Sequence, residues 1–250
     1  MIHLSQQGEI AILRMAHGKA NALDAEFCNG LADTLEKIES SAARAVIVVG
    51  TGSIFSAGVD LVRISEGAPY VRQFLPALHR LFDASFNLPK PMIAAVNGHA
   101  MAGGCVLACC ADVRIAVRGH GRIGITEMLV GVPFPALAFE VMRYAAKAQY
   151  LPEMTLSGAT YLADEARERG LVDHVVEPAE LMDRAMVEAK RLAALPAATF
   201  AATKAQMHQR VADHMSQHGA RIDGRVEQIW TSDETLQNIR AFVEKTIKKG

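Results

Sequence analysis

An α/β core followed by an all-helical region is the fold class this sequence predicts, on three observations. Short apolar runs of β-type composition, "RAVIVVGTG" (44–52) and "PMIAAVNG" (91–98), alternate with stretches of helical period. Two further strand-like runs, "ADVRIAV" and "GRIGI", continue the alternation. Beyond Pro196 the apolar clusters recur at helical spacing as far as "IRAFVEKTIKKG". Strands alternating with helices, then helices alone, argue for an α/β core with a helical appendage. The boundary falls near Pro196, giving a core over 1–195 and a helical region over 196–250.

In chain order, "IHLSQQGEIAILRM" reads as two short strands turning at Gln7-Gly8. "ALDAEFCNGLADTLEKIES" reads as a helix, with Asp24 as its N-cap and apolar residues at helical spacing. Another helix, roughly 70–87, lies between the two buried β runs and is ended by Pro89 and Pro91. From about 134 the pattern is helical, apart from a short strand at "GLVDHVVE" (170–177). No internal repeat of fixed period is visible.

Half of the 250 residues are hydrophobic, enough for a substantial core. Twenty-six Lys and Arg against 27 Asp and Glu leave a net charge of -1, so no nucleic-acid or anionic-membrane footprint is expected. The longest apolar runs fall short of the roughly 20 residues a membrane span needs. "MIHLSQQGEIAILRM" lacks a basic segment followed by a long apolar one, so no secretory leader is expected and a cytoplasmic location is. Cys28, Cys105, Cys109 and Cys110 show no metal spacing and read as buried free thiols. His214 and His218 stand four apart on a helical stretch, a chelating spacing, but no third ligand lies nearby in sequence and no metal site is expected.

Chemistry is suggested at three places. "SIFSAGVDL" (53–61) follows a buried strand, and its glycine lets the backbone turn sharply and approach a ligand; it also fits an ordinary strand-to-helix loop. "NGHAMAGG" leaves a buried strand and enters a helix whose first turn holds Gly103 and Gly104. Helix N-termini offer unpaired N–H groups to a developing oxyanion, although small residues there equally permit close helix packing. The third is Glu127, set between "GRIGI" and the apolar "MLVGVPF", where an unpaired carboxylate is costly. Alone it also fits a surface turn or a salt-bridge partner.

Taken together, these segments resemble the crotonase, or enoyl-CoA hydratase/isomerase, superfamily over nearly the whole chain. "KANAL" (19–23) resembles its coenzyme A segment, "FSAGVDL" its first oxyanion loop, and "KPMIAAVNGHAMAGGC" its second oxyanion strand and helix. "ATYLADEARERGLVDHVV" and "AFVEK" resemble later family segments. The resemblance implies a ββα spiral core and backbone N–H donors on Val59 and Gly103. It implies coenzyme A contacts at Lys19, Ala20, Ala22, Ala57 and Asp60, joined by Phe242 and Lys245 of the tail, often across a subunit boundary. Glu127 aligns with the family's second catalytic glutamate, and Val106, Phe134 and Leu137 are candidates for the acyl pocket wall. The substrate implied is an acyl-CoA thioester, with coenzyme A part of the substrate and no other cofactor. The implied assembly is a homotrimer or a dimer of trimers.

One departure narrows the chemistry. The hydratases of this superfamily typically carry a second glutamate three residues after the donor glycine, and that position here is Val106. Valine cannot orient water or exchange a proton. "AGGCVLACCAD" followed by "GITEMLVGVPF" resembles the single-glutamate Δ3,Δ2-enoyl-CoA isomerases more than the two-glutamate hydratases. Isomerisation of a 3-enoyl-CoA is therefore the expected activity. A hydratase or other enolate chemistry is the alternative, and a non-catalytic acyl-CoA binder the alternative of another class.

Overall fold

The computed structural model describes residues 1–246; positions 247–250 of the predicted helical region lie outside them. β1 (Ile2–Gln7) and β2 (Ile10–Met15) form an antiparallel hairpin with Gln7 opposite Ile10. α1 (Ala25–Glu39) starts where the Asp24 carboxylate accepts the Phe27 N–H at 2.6 Å. Its Phe27, Leu31, Leu35 and Ile38 are buried, one apolar stripe at helical spacing.

From there the chain winds as a spiral. Each turn lays one strand in each of two sheets and then a helix. The first turn holds β3 (Ala45–Val49), β4 (Ile54–Ser56), α2 (Leu61–Ile64) and α3 (Ala68–Phe86). The second holds β5 (Met92–Val96), β6 (His99–Met101) and α4 (Gly103–Cys109), and the third β7 (Val113–Val117), β8 (Ile123–Gly124) and α5 (Glu127–Val130). α6 (Ala136–Ala145), α7 (Leu151–Ser157), β9 (Thr160–Tyr161), α8 (Ala163–Glu168), β10 (His174–Val176) and α9 (Leu181–Ala193) close the core. The larger sheet runs β1-β2-β3-β5-β7-β10 and is parallel beyond β2; the smaller runs β4-β6-β8-β9, with only β8–β9 antiparallel.

The inner strands β3 and β5 of the larger sheet are buried on both faces, which is why their sequences read as unbroken apolar runs. Val46, Val48, Ala94 and Val96 face the main core, whereas Ala45, Ile47, Ile93 and Ala95 pack with Leu181, Ala185 and Ala189 of α9. After Pro196 come α10 (Ala197–His214), a π-helical turn (Met215–Gly219), α11 (Ala220–Trp230) and α12 (Asp233–Thr246).

The sequence reading treats 53–61 as a loop and passes directly from residue 98 toward the helix at 103. The structure instead inserts β4 and β6, and adds β9. These strands have two or three residues, too few to show a period, and exist through pairing between spiral turns: Ile54 with His99, Ala100 with Ile123. The crossing is tight. A Cβ on Gly98 would collide with the Ser53 carbonyl, which accepts the His99 N–H at 2.9 Å. "GRIGI" contracts to the two-residue β8, and "GLVDHVVE" to His174–Val176.

Candidate active site

Three backbone segments meet at the start of α4. The 19–23 segment turns at Asn21, which takes the left-handed conformation (φ 48°) that asparagine tolerates. Its Nδ2 donates to the Phe55 carbonyl at 3.1 Å and its Oδ1 accepts the His17 N–H at 2.7 Å. The segment then docks on the 57–60 turn: Ala57 N–H donates to Ala20 O (2.9 Å), Leu23 N–H to Gly58 O (2.7 Å) and Asp60 N–H to Leu23 O (2.9 Å). The Val59 N–H, flanked by these bonds, has no acceptor among the described residues. Its direction is fixed, because it shares a peptide plane with the Gly58 carbonyl and points the opposite way.

The start of α4 lies against this turn. A Cβ on Gly58 would sit 2.6 Å from Met101 O and 3.2 Å from the Gly103 nitrogen, and Gly58 itself has φ +85°. Only glycine meets both demands. Gly103 is the first residue of α4, and its N–H also lacks an acceptor among the described residues. The Ala102 carbonyl, in the same peptide, accepts from Cys105 (2.9 Å) and Val106 (3.1 Å), which aims the Gly103 N–H outward. Ala102 itself stands at φ 49°, ψ -127°, a conformation that strains any residue with a Cβ. The two glycines thus have different reasons. Gly103 offers an N–H, whereas a Cβ on Gly104 would lie 2.5 Å from Ser56 O.

Glu127 opens α5 and is buried. Its Oε2 has no hydrogen-bond partner, and no cation pairs with it among the described residues. Burial pushes its carboxyl from the ordinary value near 4.5 up to about 7, opposed only in part by the backbone amides of residues 126 and 127. α4 is near enough that the Glu127 charge reaches Cys105, whose thiol is held high by its hydrogen bond to Cys109 and by burial. Val106, the next residue of α4, is buried at 1 % exposure.

The remaining predicted residues divide. Lys19 and Ala57 are exposed and Ala20 and Ala22 half-buried along the docked segment. Ala57 gives its N–H to Ala20, and the Asp60 Oδ1 caps α2 by accepting from Val62 (3.0 Å) and Arg63 (3.1 Å). α12 packs on α2 and α5 of its own chain, with Arg240 Nε donating to Ser65 O at 3.2 Å. On it Phe242 packs against the main core and Lys245 is exposed. Phe134 is half-buried against Phe139, with ring centroids 5.9 Å apart. Leu137 lines a cavity of about 740 Å³ with Leu75, His79, Val211, Met215 and Val226 of α3, α10, the π turn and α11. Val59, Gly103 and Glu127 do not line that cavity, so Leu137 and Glu127 are not brought together there. Ala102 and Ser56 escape sequence reasoning: alanine carries no signal for a positive φ, and a serine in a short loop none for complete burial.

The four cysteines are free and buried, and His99 Nδ1 accepts the Arg122 N–H at 3.2 Å, a structural contact. No helix of the described residues is long and apolar enough to cross a membrane.

The enoyl-CoA hydratase/isomerase family profile matches residues 5–249. The chain belongs to this family. Family members act on acyl-CoA thioesters, and the two-sheet spiral with its helical tail is the crotonase fold. Among relatives, a putative enoyl-CoA hydratase of Thermus thermophilus is 29% identical over 248 residues, covering 96% of each chain. A carnitinyl-CoA dehydratase of Salmonella paratyphi A is 30% identical over 252 residues, 98% of this chain and 95% of the relative. The crystal structure of human mitochondrial Δ3-Δ2-enoyl-CoA isomerase superposes with a TM-score of 0.94 at 22% identity, covering 99% and 98% of the two chains. At that identity the likeness speaks for the fold.

Proposed function

We propose that this family member is an enoyl-CoA isomerase, moving the double bond of a 3-enoyl thioester to the 2-position. One observation carries the reading. Glu127 is buried, unpaired and raised to about 7, while position 106, the place of the hydratases' second acid, holds a buried valine.

The ionised Glu127 removes a proton from C2. The charge moves through the dienolate onto the thioester oxygen, which the Val59 and Gly103 N–H groups bind as an oxyanion. The protonated Glu127 then returns the same proton at C4, so no water and no second carboxylate is needed. A value near 7 suits both steps, since the group is neither too weak a base nor too weak an acid at neutral pH. Coenzyme A lies along Lys19, Ala20, Ala22, Ala57 and Asp60, with Phe242 and Lys245 of α12 closing over it from the same chain.

The dehydratase at 30% identity favours a second reading, addition or elimination of water with Glu127 as the acting carboxylate. Separate incubations with 3-hexenoyl-CoA and crotonyl-CoA decide between them. Conjugated product from the first alone supports the isomerase, and 3-hydroxy product from the second at ordinary hydratase rates overturns it. Retained binding with neither product points to a binder.

A further inference from the structure

Ser56 ends β4 with no exposure at all. Its hydroxyl donates to the Asn21 carbonyl at 2.7 Å and accepts the Gly58 N–H at 3.2 Å. The same residue touches the third segment, since its carbonyl, Cβ and Oγ leave no room for a side chain on Gly104. One small residue is therefore the joint between the 19–23 segment, the 57–60 turn and the start of α4.

We infer that Ser56 is a positioning residue that sets the direction of the Val59 N–H. The inference rests on the oxyanion reading of Val59 and Gly103. The Val59 N–H is aimed by the bond from Leu23 N–H to Gly58 O in its own peptide plane. That bond keeps its direction only while the Leu23 strand and the Gly58 turn keep their relative position. Ser56 ties both flanks, holding Asn21 two residues before Leu23 and the N–H of Gly58 itself. An alanine would orphan the buried Asn21 carbonyl and Gly58 N–H together. The Ala57–Ala20 and Asp60–Leu23 bonds survive, so the turn stays folded while its peptide planes loosen.

The test uses the full chain as wild type, Ser56→Ala and Ser56→Cys. Vibrational difference spectra of bound crotonyl-CoA report the thioester carbonyl stretch, which falls in frequency as N–H donors polarise it. Turnover and KM for 3-hexenoyl-CoA are measured alongside. Ser56→Ala is expected to lose at least about half of the carbonyl shift and about tenfold to a hundredfold in kcat, less than removal of a whole donor. KM should stay within about threefold, and the pH midpoint set by Glu127 unmoved. Ser56→Cys, with a weaker donor, should fall between. A folded Ser56→Ala that keeps the wild-type shift and kcat overturns the inference, because a merely structural hydroxyl alters stability alone. Should Ser56→Ala not fold, a wild-type shift in Ser56→Cys decides against it equally. A wild type that shows no carbonyl shift on binding sinks the oxyanion reading first, which separates the two failures.

Discussion

Two helices, α9 on the outer face of the larger sheet and α5 after the smaller one, treat a buried glutamate in opposite ways. On the α9 face, Glu188 has its side chain 7% exposed, yet both oxygens are engaged, by Arg184 at 2.8 Å and Arg191 at 2.7 Å. The Arg191 hydrogen bond holds its carboxyl below the ordinary range. Inside the spiral, Glu127 lies far deeper and has no cation among the described residues, and its carboxyl is raised to about 7. The same contrast runs through the backbone. The sheet strands satisfy their amides in ladders, whereas Val59 and Gly103 keep theirs free and Ala102 is strained to aim one of them. Burial by itself does not make a reactive acid. Burial without a partner raises a carboxyl, and among the described residues Glu127 meets that condition.

The sharpest way to break this contrast is Glu127→Gln. It is expected to cut turnover by at least about 10³-fold with acyl-CoA affinity within a few-fold, because glutamine keeps the shape but cannot take a proton. Activity within tenfold of wild type removes Glu127 from the chemistry. Next is Gly103→Pro, which deletes one N–H at a first-turn position where proline is tolerated, and should cost about 10²–10³ in turnover with little change in KM. A near-wild-type rate in the folded variant shows that this N–H faces nothing.

The third test uses pH. Because the Glu127 value is raised on folding, the native state holds its proton more tightly than the unfolded chain does. Its contribution to stability is present below about 4.5 and is lost as pH rises through about 7. The loss amounts to about 3 kcal/mol. Urea unfolding should therefore find Glu127→Gln more stable than wild type at pH 8 and not at pH 4, while wild-type kcat/KM rises through a midpoint near 7. An inactive variant with no gain at pH 8 leaves the group catalytic but not strained. Glu188 has the opposite sign. Its value is lowered, so its contribution is present above the ordinary carboxylate range and fades as pH falls. Glu188→Gln should cost about 1–2 kcal/mol at pH 7, discounted for the exposure of both arginines, and leave turnover unchanged. Gly104→Ala is expected to cost less turnover than Gly103→Pro. Its Cβ must displace Ser56, at about 1–3 kcal/mol of stability and, through Ser56, up to the turnover loss of Ser56→Ala, while the Gly103 N–H is retained. A loss of turnover equal to that of Gly103→Pro would merge the two glycines into one role.

Much of the fold was legible because burial on both faces writes itself as "AVIVV" and "MIAAV", and because Asp24 and Pro196 mark helix starts. Glu127 stood out as an acid in apolar surroundings, and the family resemblance carried Val59 and Gly103. The ββα repeat was invisible as a sequence period, since its turns differ in length and its second strands have two or three residues. Nor could the reading separate Gly103 from Gly104, or show that Leu137 lines a cavity shared with α10 and α11.

The sequence by itself determined which groups are available: a glutamate set between apolar runs, a valine where a second acid would stand, glycines at two turns, and apolar strands to build a sheet. Only the tertiary structure decided what those groups become. A carboxyl is raised or lowered by neighbours that lie far along the chain, such as the residues that desolvate Glu127 without pairing it. An amide is free or spent according to whether a distant segment turns a carbonyl toward it, as Leu23 does when it holds Gly58 and leaves the Val59 N–H pointing outward. Local sequence encodes conformational preference and polarity, whereas direction and desolvation are set by contacts between segments that only folding brings together.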